Sequence, residues 1–165
     1  MAYDGYLKIE GIPGESTDQV HAGWIEIISF KHEVSQPAGS STSRIGGRTG
    51  ARVDVRDFCI TKVVDKSSCN LHLYCCNGKH ITQIIVELCE ASESKLCYMK
   101  WTMKDVIVSS IKASGVANEQ IFVRPIEEVT FNFGQIQWVY TPKDHMGKPL
   151  PQQQSGWTLE ENRPM

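Results

Sequence analysis

Apolar and polar residues alternate along most of this chain, the signature of strands with one buried face. The stretch EEVTFNFGQIQWVYTP, Glu127 to Pro142, alternates throughout but changes phase. Val129, Phe131 and Phe133 share one face, with Glu128, Thr130 and Asn132 opposite. After Gly134 the apolar set becomes Ile136, Trp138 and Tyr140, with Gln135 and Gln137 opposite. Two arrangements fit a glycine at such a change-over. In one, a bulge turns the second apolar set toward another layer, such as a neighbouring subunit. In the other, a single-chain barrel turns a corner and buries both sets internally.

The same period predicts strands over 6–12, 24–35, 56–65, 80–90 and 96–110, with EASESK as the turn between the last two. One helix is expected in KSSCNLHLYCCNG: Asp65 or Ser67 caps its start, Leu71, Tyr74 and Cys75 share a face, and Asn77-Gly78 supplies a left-handed stop. Many strands, one short helix and no βαβ rhythm indicate a mainly β protein, a near-closed two-sheet β-barrel or sandwich. The Gly- and Ser-rich segment 36–53 carries Arg44, Arg48 and Arg52 and reads as an extended contact loop. Residues 142–165 read as a loosely structured tail of the same domain, with Trp157 as its anchor, behind a barrel spanning 1–141.

Composition narrows the function classes. A length of 165 residues suits one domain, and a net charge of −2 gives no reason to expect nucleic acid as a partner. No apolar run approaches a membrane span, and the opening MAYDGYLKIE has no signal-sequence character, so synthesis in the cytoplasm without a cleaved signal is expected. The six cysteines (Cys59, Cys69, Cys75, Cys76, Cys89, Cys97) are expected as small core residues. Cys75, Cys76 and His80 come nearest to a metal set, but sequence neighbours do not readily chelate one ion, so neither metal nor cofactor is expected. Ser16, Asp18 and His21 resemble a catalytic set in composition but crowd into one loop, where Ser and Asp more often satisfy local backbone. Glu127 and Glu128 are consecutive on a strand and face opposite ways. No enzyme activity is expected.

Several segments, in order and spacing, resemble the haemolysin-coregulated protein (Hcp) family of bacterial type VI secretion systems. They are GESTDQVHAGWIEI at 14–27, DFCITKVVDKSSCNL at 57–71, GKHI at 78–81, KDVIVSSI at 104–111, VTFNFGQIQWVYTP at 129–142, and SGWTLEEN near the end. The helix SCNLHLYCC and the Gly/Ser loop depart from the family pattern.

The resemblance implies a two-sheet barrel with a helix at its side, a homo-hexameric ring, and rings stacked into a tube. It further implies a spike protein at the tube tip, a surrounding contractile sheath, and small effectors carried in the pore. Release through the type VI apparatus would then replace a signal sequence. On that pattern Ser29, Lys31 and Glu33 are candidate pore-lining residues, and Arg44, Arg48 and Arg52 candidate ring-stacking residues with acidic partners among Glu160, Glu161 or the Glu90–Glu93 turn. Ile136, Trp138 and Tyr140 are candidate subunit-interface residues. The competing reading is a monomeric β-barrel module binding a small ligand or glycan through its tryptophans.

Overall fold

Nine strands lie on one continuous hydrogen-bonded path in the computed structural model, which describes residues 3–37, 51–92, 95–116 and 124–165. In chain order the elements are β1 (Tyr3–Ile9), β2 (Ile25–Ile27), β3 (Ser29–Lys31), β4 (Val34–Ser35), β5 (Asp54–Val55), β6 (Phe58–Val63), α1 (Ser68–Asn77), β7 (Ile81–Glu90), β8 (Cys97–Ser114), β9 (Ile126–Tyr140), β10 (Gln153–Thr158) and β11 (Arg163–Pro164). Pairing is antiparallel throughout and closes on itself. β7 pairs with β1 and β1 with β2. β3 pairs with β6, β6 with the first half of β9, β9 with β8, and β8 with β7.

The expected single strand over 24–35 is three short ones. Ile25 and Ile27 point inward while paired to β1, and at Ile28 the chain changes partner, its N–H donating to Thr61 O at 2.7 Å. A run that passes from one neighbour to another cannot keep one regular ladder, and local alternation is blind to that exchange.

The phase change of β9 has a counterpart in its neighbours. Inward residues are Ile81 then Ile84 on β7, Met103 then Val106 on β8, and Phe133 then Ile136 on β9. The registers Ile81↔Val106 and Gln83↔Lys104 set Thr82 opposite Asp105, and Val106↔Phe133 and Lys104↔Gln135 set Asp105 opposite Gly134. Three strands therefore change phase at one level without slipping against one another. The sheet bends there, with Asp105 in the left-handed region at φ 52°. A Cβ on Gly134 would lie 3.3 Å from the Asp105 Cβ, so glycine keeps that approach open.

At the same level β9 changes neighbours. β6 leaves it at Phe58↔Phe131, β10 joins it at Thr158↔Gln135, and Leu159 N–H donates to Gly134 O at 2.9 Å. The corner is thus internal to the chain. Ile136 is fully buried in the protomer's own core, which corrects its expected place at a subunit interface. The stretch 153–158, expected as loose tail, is strand β10 with Trp157 opposite Ile136. Its polar sequence hides this because the edge of β9, not an apolar stripe, holds it.

Helix α1 ends at Gly78 (φ 61°) as expected. At its start Asp65, rather than Ser67, supplies the accepting oxygen, taking the Ser67 N–H at 2.9 Å. Leu71 is buried in the core, and Tyr74 and Cys75 pack beside it. Beneath the helix, Lys62 is 0% and Glu127 2% exposed, and their charged atoms meet at 3.0 Å. Lys62 Nζ also reaches Asp65 at 2.9 Å and Val63 O at 2.9 Å, while Ser68 Oγ donates to Glu127 at 2.7 Å. Glu128 faces outward, so the paired acids point opposite ways as expected.

Two stability outcomes follow, both read by urea unfolding. Asp105→Val places a β-branched residue in the left-handed region and should cost about 2 kcal/mol or more, whereas Asp105→Gly should stay within about 0.5 kcal/mol of wild type. Glu127→Ala leaves the buried Lys62 ammonium with Asp65 as its remaining carboxylate and should cost about 2–3 kcal/mol, with Lys62→Met/Glu127→Leu recovering most of the loss.

Candidate functional site

Four surfaces carry the polar and aromatic chemistry that the core does not use. The first is the outer face of the β3–β6–β9 sheet. Registers align Ser29 with Thr61 and Thr61 with Glu128, then Lys31 with Cys59 and Cys59 with Thr130, giving two polar ranks on one face. Phe30, between Ser29 and Lys31, turns inward and stacks on Phe58 at 5.9 Å. Glu33 lies past the end of β3, where it meets Arg56 at 3.6 Å. A cavity of about 430 Å³ joins Lys31, His32, Glu33, Arg56 and Asp57. His32 lies against Phe58 and Phe133, with ring centroids at 5.5 and 5.9 Å. Burial holds the His32 imidazole below its ordinary pKa, and the Arg56 backbone offsets part of the shift.

The second is the root of the Gly/Ser loop. β4 and β5 pair as a short ribbon, Val34↔Val55 and Ser35↔Asp54, extended by Ala51 N–H donating to Pro37 O at 3.3 Å and by the Gln36 side chain on Ala51 O. Arg52 extends to the C-terminal segment and donates to Leu159 O at 2.9 Å, next to exposed Glu160. Glu161 pairs with Arg163 and Glu90 with Lys143. Arg44 and Arg48 lie outside the described residues.

The third lies at the far end of β9. Trp138 packs half-buried on the core opposite Trp101, while Tyr140 is 48% exposed. Tyr140 lines a groove of about 610 Å³ with Tyr3, Leu96 and Tyr98. Burial raises the Tyr98 phenol pKa, helped by the neighbouring Tyr3 and Glu90.

The fourth is a buried polar cluster on the outer face of β1–β7–β8, covered by the 13–23 loop. Gly14 lets that loop lie flat, since a Cβ there would meet Trp24 O at 2.2 Å. His21 is 1% exposed, stacks on Tyr6 at 4.2 Å and meets Trp24 edge-on at 4.7 Å. Its Nδ1 faces Asp18 Oδ1 at 2.9 Å and its Nε2 faces Glu87 Oε2 at 2.8 Å. Lys95 contacts Asp18 and donates to Tyr6 Oη at 2.8 Å. Lys95, then His21, hold the Asp18 carboxyl well below the usual carboxylate range, and Asp18 in turn raises Lys95.

Ser16, Asp18 and His21 do not form a catalytic set. Ser16 Oγ accepts the Asp18 N–H at 3.2 Å, and the His21 nitrogen that would serve a nucleophile faces Glu87 instead. The cysteines depart from the expected uniform core role: Cys89 and Cys97 form a disulfide across the β7–β8 hairpin, Cys59 and Cys75 are half-buried, and Cys69 and Cys76 are exposed. Cys75, Cys76 and His80 do not converge; among the described residues, the set within coordinating reach of one point is His21, Glu87, Cys89 and Cys97. No spacing motif marks that set, because its members come from a loop and two strands.

Residues 6–140 match the family described as type VI secretion system effector, Hcp. The chain is 36% identical to Protein hcp1 of Pseudomonas aeruginosa over 98% of both chains. A solved type six secretion system protein superposes with a TM-score of 0.94 at 27% identity, covering 99% of this chain and 100% of that one. Hcp1 from Salmonella typhimurium gives a TM-score of 0.78 at 32% identity, with both chains covered in full.

His32 sets a pH dependence of stability. Its folded pKa lies below the unfolded value of about 6.5, so between the two the unfolded chain binds more protons. Stability is therefore full above about pH 6.5 and falls as the pH drops through that value toward the folded pKa. Urea midpoints at about pH 7.5 and pH 5.5 should separate for the wild type, and His32→Gln should narrow the gap.

Proposed function

The chain belongs to the Hcp family and is a type VI secretion tube subunit, and from that premise we propose that its copies close into hexameric rings through the aromatic groove beside Tyr140. That groove carries the reading. It sets a large, half-exposed aromatic among Tyr3, Leu96 and Tyr98 at one end of the barrel, the kind of anchor that protein interfaces use. Trp138 contributes from behind, by fixing the strand that presents Tyr140. The contact is heterologous, groove to a different patch on the next copy, and closes because the rotation does.

Rings stack through the 36–53 loop, with Arg44, Arg48 and Arg52 meeting acids of the adjacent ring. Supporting this, the β4–β5 ribbon roots the loop at the barrel's margin and Arg52 already lies beside Glu160. Ser29, Lys31 and Glu33 line the pore and contact small effectors; the polar ranks that Ser29 and Lys31 share with Thr61, Glu128 and Thr130 suit a wetted channel wall, with Glu33 beside Arg56 just past the end of β3. The tube is tipped by a spike protein, driven by a sheath and exported through the type VI apparatus, and the subunit performs no catalysis. The family assignment disfavours a monomeric ligand-binding module.

Native mass spectrometry with negative-stain imaging tests the assembly. Wild type should run as a single species of six 18.5 kDa chains with an open centre. Tyr140→Arg should reduce it to single chains, while Arg52→Glu should leave rings intact and shorten tubes. A wild-type monomer at micromolar concentration would overturn the ring reading, and intact Tyr140→Arg rings would move the interface elsewhere.

A further inference from the structure

The cluster around His21 has the composition of a metal site as well as that of a structural network. His21 Nε2 lies 2.8 Å from Glu87 Oε2, 3.8 Å from Cys97 Sγ and 4.0 Å from Cys89 Sγ, and the four potential ligand atoms all lie within 4.8 Å of one another. A neutral imidazole has one N–H, yet both nitrogens of His21 face carboxylates. When Nδ1–H is given to Asp18, the Nε2 lone pair points at the Glu87 carboxylate and the two sulfurs. That is the orientation in which a carboxylate prepares a histidine to ligate. Two acceptors and two sulfurs then converge on one point with no positive charge between them, since Lys100 meets the other Glu87 oxygen at 3.2 Å and Lys95 meets Asp18.

We propose that, with Cys89 and Cys97 reduced, His21, Glu87, Cys89 and Cys97 bind one zinc-class divalent cation, and that their disulfide is the oxidised, metal-free form of the same site. One nitrogen, one oxygen and two thiolates make a closed tetrahedral set suited to zinc. Metal–ligand bonds of about 2.0–2.3 Å space the ligand atoms roughly 3.3–3.8 Å apart. The two nitrogen–sulfur separations already approach that spacing. Once the disulfide is reduced, the sulfurs separate and the Glu87 carboxylate rotates outward.

Binding releases the two thiol protons as the two metal–sulfur bonds form. In the reverse direction the thiolates pass two electrons to a small disulfide oxidant. That oxidant takes up two protons and leaves as two thiols, the Cys89–Cys97 bond forms, and the cation departs. The expected core role of the cysteines gives way at Cys89 and Cys97, whose disulfide makes the proposed site sensitive to redox state.

Cobalt(II), a spectroscopic stand-in for zinc, provides the probe. Added to the full chain in a phosphine reductant, one equivalent should give tetrahedral d–d bands with a thiolate-to-cobalt charge-transfer band, and zinc should displace it. With the phosphine removed and Cys59, Cys69, Cys75 and Cys76 replaced by Ser, glutathione disulfide should abolish the signal and release two glutathione thiols per chain. Cys89→Ser and Cys97→Ser should each lose the charge-transfer intensity or shift it, and lower zinc affinity at least tenfold. Because His21 is buried against Tyr6, Glu87→Gln is the ligand variant of choice; it should weaken zinc at least tenfold with the ring mass unchanged.

Absence of tetrahedral cobalt in the reduced protein overturns the proposal. So does a signal that survives both cysteine variants, which would belong to Cys59, Cys69, Cys75 or Cys76, and so does zinc affinity indifferent to oxidation. Should a cysteine variant fail to fold, oxidised against reduced wild type and Glu87→Gln decide the matter.

Discussion

The bend shared by β7, β8 and β9 is the constraint on which the architecture rests. Strands that alternate strictly can bury only one set of side chains, and β8 and β9 are too long to follow a small barrel wall without turning. By changing phase together at Thr82, Asp105 and Gly134, the three keep their ladder intact while redirecting which residues face inward. Phe131 and Phe133 on one side of the bend and Ile136 on the other then belong to one core. The bend also decides the sheet's connectivity, because β9 releases β6 and receives β10 there.

Two buried polar clusters fix what the sheet alone leaves open. Lys62, Glu127, Asp65 and Ser68 tie the start of α1 to β6 and β9, and His21, Asp18, Glu87 and Lys95 tie the 13–23 loop to β7 and the β7–β8 hairpin. Burying charge costs solvation, so neither cluster is an obvious source of stability compared with apolar packing. What each does contribute is geometry: an unpartnered charge would penalise any other docking of the helix or the loop.

Much of this was legible in the sequence where the signal is local. Alternation located β7, β8 and β9, the Asn77-Gly78 pair stopped the helix, and Leu71, Tyr74 and Cys75 shared its inner face. Glu127 and Glu128 faced opposite ways as strand geometry demands. The misses share a cause, which is a distant partner. The break at Ile28, the pairing of β10, the Lys62–Glu127 contact and the convergence of His21 on Cys89 and Cys97 each depend on residues remote in sequence. Gly134 was recognised as a change-over, but choosing a corner over an outward-facing bulge required seeing Thr82 and Asp105 level with it. That choice removes Ile136 from any interface and leaves Tyr140 as the exposed member of the set.

The ribbon of β4 and β5 has a consequence for how such a chain can vary. Its residue pairs lie off the barrel's pairing circuit, and the bonds at its mouth (Gln36 to Ala51, Ala51 to Pro37) close on themselves. Whatever chain is spliced between Pro37 and Ala51 meets the same anchored ends, and the entropy of closing a loop rises only slowly with its length. The ribbon is therefore a modular junction. Lineages can exchange the segment for longer, shorter or differently charged versions while the barrel's folding problem stays the same.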